Sequence, residues 1–348
     1  MMFRALAQRL PVLWYRPRLA LSLLPLLPFA WLFRALVRFR RAAYRRGMFE
    51  SQSLPVPVIV VGNITVGGSG KTPFVLWLVE QLRKRGWNPG IISRGYGGKI
   101  EGVGEARPDA KAGTVGDEPL LLARRSGVPV FVGRDRLAAG LALLAAHPAC
   151  NVIVSDDGLQ HYRLRRGAEI VVFDARGAGN GQLLPAGPLR EPVARLGSAT
   201  AIVWNGVDTS PAAFFPELPP RYVMRLSGKR FISLNDERTA SADDLRGKRL
   251  YAVAGIGHPE RFFAQLRELG LDFQARAFPD HHQYTTNDFA FAHDGVLLLT
   301  EKDAVKCSGL IAGEAWALPV DAEIVAAPGA RPLLDRILEN FNDGRTFA

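Results

Sequence analysis

Cysteine is scarce in this chain: 348 residues contain two, Cys150 and Cys307, far apart and in no CxxC arrangement. That excludes a disulfide framework and a thiolate zinc site, and it suits a reducing compartment. No internal repeat or low-complexity tract is visible. Acids are outnumbered, 33 against 44 lysines and arginines, for a net charge of +11. The imbalance is local, because residues 1 to 50 hold ten arginines and one acid, and the rest of the chain is nearly balanced. What is plentiful is apolar, at 48% of residues, in a chain long enough for one large or two ordinary domains, each with its own core.

The N-terminal segment reads as short for a comfortable membrane span and unlike a signal peptide, and whether it spans or lies in the membrane stays open. Between Arg18 and Arg34 lie fifteen uncharged residues, about 22 Å of helix against about 30 Å of hydrocarbon. Pro25 and Pro28 are expected to break the stretch further, and more arginines follow it in place of a small-residue cleavage site. The segment reads as an interfacial helix or hairpin, with leucines, phenylalanines and Trp31 dipped into the bilayer and arginines at anionic headgroups on the cytoplasmic side. Two other readings stay open: a basic helix packed on the protein's own core, and a nucleic-acid-binding arm. The continuous apolar block argues against nucleic acid, since it has nothing to pair with on a phosphate backbone.

"VIVVGNITVGGSGKTP", residues 58 to 73, departs from G-x-x-x-x-G-K-[ST] in one respect: Thr65 stands where the first glycine belongs. The rest fits a phosphate-binding loop. Val56 to Val61 is dense in β-branched residues and reads as a buried strand of a parallel sheet. Gly67, Gly68 and Gly70, with Ser69 between them, let the backbone approach an anion. Lys71 is placed to reach the β/γ-phosphates, and Thr72 to offer its hydroxyl to Mg²⁺. From Pro73 the pattern turns helical, with Phe74, Leu78 and Leu82 on one stripe and Gly86 as the stop.

Beyond the loop, strands and helices alternate as in a doubly wound α/β domain. "NPGIISRGYGG" supplies a strand and a turn with Ser93, Arg94 and Tyr96, and "VPVFVGRDR" ends on Arg134, Asp135 and Arg136. "NVIVSDDGLQH" has the form of a Walker B segment, its Asp156-Asp157 able to hold Mg²⁺ beside the P-loop. The lack of an N-K-x-D motif argues against guanine specificity: "AIVWNGVD" has no lysine and "LLLTEKD" has Glu301 after Thr300, both near misses. In "KRLYAVAGIGHPERFF", Gly255 and Gly257 lack the third glycine of a dinucleotide fingerprint and read as ordinary βα packing. A kinase needs in addition an acid to accept a hydroxyl proton. Asp117 in "TVGDEP" is a candidate, with His281 in "FPDHHQY" as its partner. The residues alone leave this open, because Asp117 could cap a helix starting near Pro119, and His281-His282 could lie in a surface loop.

Taken in order, "GNITVGGSGKTP", "ISRGYGG", "GDEP", "SDDGLQH", "LLPAGPLREP", "GIGHPERFF", "FPDHH" and "LLLTEKDAVK" resemble the tetraacyldisaccharide 4′-kinase (lipid A 4′-kinase) family, from about residue 10 to about residue 330. Thr65 belongs to that family's pattern. The resemblance implies an α/β fold: a P-loop NTPase-type, doubly wound, mostly parallel sheet, a second, smaller α/β lobe, and an N-terminal membrane-associated helical segment. The expected divisions are 1–50 for the membrane segment, 51–215 for the kinase core and 216–348 for the second lobe, with a proline-rich boundary near 208–222.

The resemblance further implies transfer of the ATP γ-phosphoryl group to the 4′-hydroxyl of a lipid A disaccharide 1-phosphate, at the cytoplasmic face of the inner membrane. ATP and Mg²⁺ are the expected cofactors; neither nucleic acid nor an obligate protein partner is expected. Carried onto this chain, Gly67, Gly68, Ser69, Gly70, Lys71 and Thr72 hold the nucleotide. Thr72, Asp156 and Asp157 hold the metal. Asp117 takes the hydroxyl proton, with His281 rather than His282 beside it. Arg94, Tyr96, Arg190 and Glu191, and one of Arg134 or Arg136, line the meeting place of donor and acceptor. The rival function is a membrane-docked P-loop ATPase that drives a protein partner, and a non-catalytic nucleotide-binding adaptor is a third.

Overall fold

Val58–Gly62 forms strand β1, buried at every position, as a run of β-branched residues is when both faces of a sheet are covered. Around it the computed structural model, which describes residues 10–16, 18–206, 219–236, 238–307, 309–326 and 329–342, builds a nine-stranded sheet. The other members are β2 (Pro89–Ser93), β3 (Val103–Glu105), β4 (Val130–Gly133), β5 (Val152–Asp156), β6 (Ala168–Asp174), β7 (Ala201–Asn205), β8 (Arg221–Ser227) and, from near the C-terminus, β15 (Asp321–Ala326). The spatial order is β15-β8-β7-β6-β1-β5-β2-β4-β3. All neighbours from β8 to β4 pair in parallel, and the two edges, β15 and β3, are antiparallel. The chain lays β2 to β5 on one side of β1 and β6 to β8 on the other, and the carboxyl ends of the central strands form one rim where loops can meet a ligand.

Two cores cover the sheet. On one face Phe74, Leu78 and Leu82 of the helix Lys71–Lys84 pack with Leu120 and Leu122 of the helix Asp117–Ser126 and Ile337 of the helix Leu333–Asn342. On the other, Leu137 and Leu143 of the helix Arg136–Ala146 meet Leu183, Leu189 and Leu196, with Phe33 of the N-terminal helix against them. Each fully buried leucine or phenylalanine contributes about 1.5–3 kcal/mol. The predicted P-loop helix is present, starting two residues before Pro73, and Gly86 follows its end at φ +83°.

The second lobe is a six-stranded sheet of β9 (Phe231–Ser233), β10 (Thr239–Ala240), β11 (Leu250–Ala254), β12 (Gln274–Ala277), β13 (Val296–Thr300) and β14 (Ala315–Leu318), in the order β10-β9-β14-β13-β11-β12. It is inserted between β8 and β15, which pair with each other in the first sheet over six residues. The expected division after residue 215 therefore does not follow the sheets. β8, β15 and the helix Leu333–Asn342 belong to the first, because their apolar positions complete its core. Residues 207–218, where the boundary was expected, lie outside the described residues, as do residues 1–9 of the N-terminal segment.

The N-terminal segment also differs from expectation in its continuity. Pro25 lies in a 3₁₀ turn, Leu21–Leu26, and Pro28 in the first turn of the helix Leu27–Arg45, where a missing N–H costs no hydrogen bond. The prolines start the helix instead of breaking it. Leu21–Arg45 is long and apolar enough, by length and composition, to cross a membrane. Leu23, Ala30 and Ala43 are buried against the protein, whereas Phe29, Leu32, Leu36 and Phe39, spaced at helical intervals, form an exposed stripe.

Candidate active site

The loop after β1 answers the Thr65 question. Left-handed backbone falls on Gly67 (φ +96°) and Gly70 (φ +91°), not on residue 65. Thr65 is instead buried and extended, bridged to Leu189, and its hydroxyl accepts from Asn63 Nδ2 at 3.3 Å. A glycine is not needed where the chain enters as a strand. Asn63 Nδ2 also lies 3.2 Å from Ser69 Oγ, so one buried amide ties both ends of the loop. Gly70 is packed so closely that a Cβ there would lie 2.4 Å from Asn205 Nδ2, and Asn205 donates to the Ser69 carbonyl at 3.2 Å. From Lys71 the helix begins, its N-terminal N–H groups directed at the loop.

Asp156 ends β5, which lies directly beside β1, and Asp156 pairs in register with Val61. The parallel pairing thus delivers the acid to the P-loop rim. Its side chain is 1% exposed; Oδ2 accepts from Ser93 Oγ at 3.3 Å and Oδ1 has no hydrogen-bond partner. Burial first, then the charges of Glu118 and Asp157, push the carboxyl up to about 7, against the pull of Lys71 and Arg136. Asp157 behaves in the opposite way. It adopts φ +47°, and burial would raise it, but Lys71 at 3.4 Å and Arg190 at 3.2 Å outweigh burial and hold it well below the usual carboxylate range. An unpartnered buried carboxylate oxygen beside a phosphate loop fits a divalent cation. Among the described residues no group of three or more His, Cys, Asp and Glu side chains could hold a metal alone, and Mg²⁺ held by one or two carboxylates, water and substrate phosphates requires none.

Asp117 lies in the first turn of its helix, behind Gly116 at φ +96°. It is 6% exposed; Oδ1 accepts from the Glu118 N–H at 3.0 Å, and Oδ2 lies 2.9 Å from His281 Nδ1. Burial raises the Asp117 carboxyl, but the His281 hydrogen bond and the nearby Lys302 prevail and lower it. The bond to Asp117 raises His281 in turn, against burial and Lys302. His281 comes from the second lobe, at φ +58°, and its ring lies 4.9 Å from that of Tyr96. A cavity of about 480 Å³, lined by Lys111, Asp117, Arg124, His281 and Lys306, opens at this pair.

The family model for the tetraacyldisaccharide-1-P 4′-kinase, LpxK, matches residues 22–339. The tetraacyldisaccharide 4′-kinase of Dechloromonas aromatica is 54% identical over 343 residues, covering 98% of this chain and 96% of that one. That of Methylobacillus flagellatus is 51% identical, covering 90% and 92%. Crystallographic LpxK from Aquifex aeolicus in complex with ATP superposes with a TM-score of 0.79 at 31% identity, covering 92% of this chain and all of that one. The chain belongs to the LpxK family.

Within this LpxK-family site the remaining residues fall into two groups. Arg94, Tyr96 and Arg134 line one cavity of about 230 Å³, next to the one at Asp117. Arg136 is not there: it is 3% exposed and donates to the carbonyls of Gly133 at 2.8 Å and Asp156 at 3.2 Å. Arg190 faces the P-loop, donating to the Thr65 carbonyl at 3.1 Å and to Asp157, and it also bonds Asn63 Oδ1. Glu191, expected to line the site, does not. Glu191 turns into the core instead, 1% exposed, accepting from Tyr162 Oη and from Gln160 Nε2 at 2.9 Å, with Arg195 Nε as an ion-pair partner at 3.3 Å.

His282 is also elsewhere, stacked on Phe278 and 3.3 Å from Asp288. Sequence reasoning missed Asn63, Arg176 and Lys302. Arg176, paired with Asp174, donates to the Gly68 carbonyl at 3.0 Å and stacks on Tyr15. The turn at Gly255 and Gly257, read as plain βα packing, lies against the loop: a Cβ at Gly257 would come 3.2 Å from Gly68 N.

Proposed function

We propose that this protein is an ATP-dependent lipid kinase that phosphorylates the 4′-hydroxyl of a tetraacyldisaccharide 1-phosphate in lipid A biosynthesis, with Asp117 as its proton acceptor. The observation that carries the mechanism is the Asp117–His281 contact of 2.9 Å at the rim that also bears the P-loop. In the reaction the sugar 4′-oxygen bonds to the γ-phosphorus, the bond from that phosphorus to the β,γ-bridging oxygen breaks, and ADP departs. The hydroxyl proton passes to the Asp117 carboxylate, which the lowered pKa keeps ionised.

Gly67 to Thr72 hold the triphosphate, and Lys71 neutralises charge on it. Mg²⁺, held by Thr72, Asp156 and Asp157, would supply charge neutralisation across the transferring group. Lys71 and Arg190 now share Asp157, so phosphates entering the loop compete for cations already in place. Arg94, Tyr96 and Arg134 face the acceptor. Glu191 holds Arg190 in register from behind, through its buried bonds.

The acceptor carries acyl chains, each buried CH₂ holding it in the bilayer by about 0.8 kcal/mol, so the enzyme must come to it. We place the N-terminal helix in the cytoplasmic leaflet of the inner membrane as a monotopic anchor. Its exposed Phe29, Leu32, Leu36 and Phe39 would enter the acyl layer, and Arg34 and Arg38 would meet the headgroups. No obligate protein partner is required by this scheme. The test is purified protein in detergent with labelled ATP, Mg²⁺ and a tetraacyldisaccharide 1-phosphate, beside Asp117→Ala. Label in the lipid, falling sharply in the variant, supports the reading; free phosphate without labelled lipid supports an ATPase instead.

A further inference from the structure

The motif "LLLTEKDAVK" contributes a residue to the site that the mechanism above does not use. Thr300 caps the short helix Glu301–Ala304, and the fully buried Asp303 fixes that helix start, accepting from the Gly255 N–H at 2.9 Å and from Thr300 Oγ1 at 2.6 Å. Lys302 is thereby held in the cleft between the lobes. Its Nζ lies 2.8 Å from Glu118 Oε1, 3.6 Å from Asp280 Oδ1 and 3.5 Å from His281 Nε2. Two N–H groups thus have acceptors, Glu118 and the far nitrogen of the imidazole whose near nitrogen contacts Asp117, and Asp280 adds an ion pair.

An ammonium group has donors and no acceptor. The His281 nitrogen facing it must therefore present a lone pair, which leaves the ring proton on Nδ1, aimed at Asp117. We propose that Lys302 is a positioning residue for the proton-accepting pair: its ammonium fixes neutral His281 as the Nδ1–H tautomer and opposes the imidazolium that the surrounding carboxylates favour. This rests on the reading of Asp117 and His281 as that pair. The charged groups around His281 are Asp117 and Glu118 from the first-lobe helix, Asp280 from its own loop, and Lys302 from the second-lobe helix, with Asp109, Lys111, Arg124 and Lys306 on the cavity they share. Tyr96 covers the ring from the loop after β2. Lys302 is the cation nearest the ring's outer nitrogen. Burial alone would lower the Lys302 ammonium, but Glu118 and Asp280 raise it on balance, so the charge persists.

An imidazolium bonded to Asp117 would weaken it as a base, so the acidic limb of the kcat/KM profile reports how readily His281 gains its second proton. The experiment compares that profile for the native enzyme, Lys302→Met, Lys302→Arg and His281→Gln, with ATP and lipid acceptor in detergent. Removing the ammonium should move the limb up by about one pH unit, Lys302→Arg should return it, and His281→Gln should abolish it. A lysine that only clamps the lobes through Glu118 would lower activity equally at every pH, and an unmoved limb in Lys302→Met overturns the proposal. A native limb retained in His281→Gln removes the Asp117–His281 reading and this proposal with it. The second measurement needs no turnover: ¹⁵N-histidine NMR should show neutral His281 protonated at Nδ1, and in Lys302→Met a shift toward the Nε2–H form with a higher protonation midpoint. A native tautomer unchanged by the substitution counts against Lys302 whatever the kinetics.

Discussion

Replacing Asp156 with asparagine should make the metal-free protein more stable while weakening its metal binding. The carboxyl is 1% exposed with one oxygen unpartnered, and burial, Glu118 and Asp157 push it from an ordinary 3.8 to about 7. That rise is a penalty, on the order of a few kcal/mol, for holding the carboxylate ionised in the folded state. The sign follows from proton binding. The folded-state value lies above the unfolded one, so the folded chain binds more protons between about pH 4 and 7, and stability falls as pH rises through that window. Asparagine does not titrate and escapes the penalty. Thermal unfolding without Mg²⁺ or ATP should therefore show Asp156→Asn melting above the native chain at pH 8, by roughly 2–4 °C per kcal/mol, with the gap closing as pH falls toward 4. With Mg²⁺ and ATP the gap should narrow or reverse, because the native chain, with its full set of carboxylates, gains more ligand stabilisation. An Asp156→Asn protein that melts at or below the native temperature at pH 8 without metal would refute the argument that this carboxylate is held unpaired for a cation.

Asp117→Asn should lower kcat on the lipid by about 10²- to 10⁴-fold and leave the KM for ATP unchanged, as steady-state kinetics would show. Gly70→Ala adds a Cβ 2.4 Å from Asn205 Nδ2 at φ +91°; a strain of about 1–2 kcal/mol and a displaced Asn205 should raise the KM for ATP about tenfold or more. Glu191→Ala leaves the Tyr162 hydroxyl without its buried acceptor, while Arg195 keeps Glu169, and should cost about 1–3 kcal/mol in denaturant unfolding, with a raised KM for ATP if Arg190 loses its register. Leu32→Glu with Leu36→Glu should abolish flotation with anionic vesicles, whereas salt alone should weaken binding of the native chain only partly.

The P-loop and the Walker B pair were legible because each lies where a run of β-branched residues ends and a turn begins, a pattern that one strand and its loop suffice to produce; Asp117 follows a short helix and His281 an exposed edge strand, so their pairing came from the family resemblance and not from a local pattern. Glu191 was misplaced because adjacency in sequence suggested a shared role with Arg190, and only their contacts show Arg190 at the P-loop and Glu191 in the core. Lys302 sits in a quoted motif, yet its importance depends on which side chain the other lobe brings within 3.5 Å, and no local pattern carries that. Pro25 and Pro28 were taken as breakers because an apolar segment gives no sign of where its helix begins; one proline falls in the preceding turn and the other in the first helical turn. The boundary was set at a proline-rich stretch, but sheet membership is decided by pairing, and β8 and β15 pair across an insertion nearly a hundred residues long.

That insertion imposes an order on synthesis. β9 to β14 are complete at Leu318, while the catalytic sheet still lacks β15 and the helix Leu333–Asn342 that closes its core. As the chain leaves the ribosome, the second lobe has all its strands before the first does, and the P-loop strand waits at the centre of an unfinished sheet. β15 and that helix, which seal the nucleotide-binding half, are thus made only after the second lobe has all its strands. Losing them would leave an intact second lobe attached to an open core, a form that quality-control proteases can recognise by its exposed apolar face.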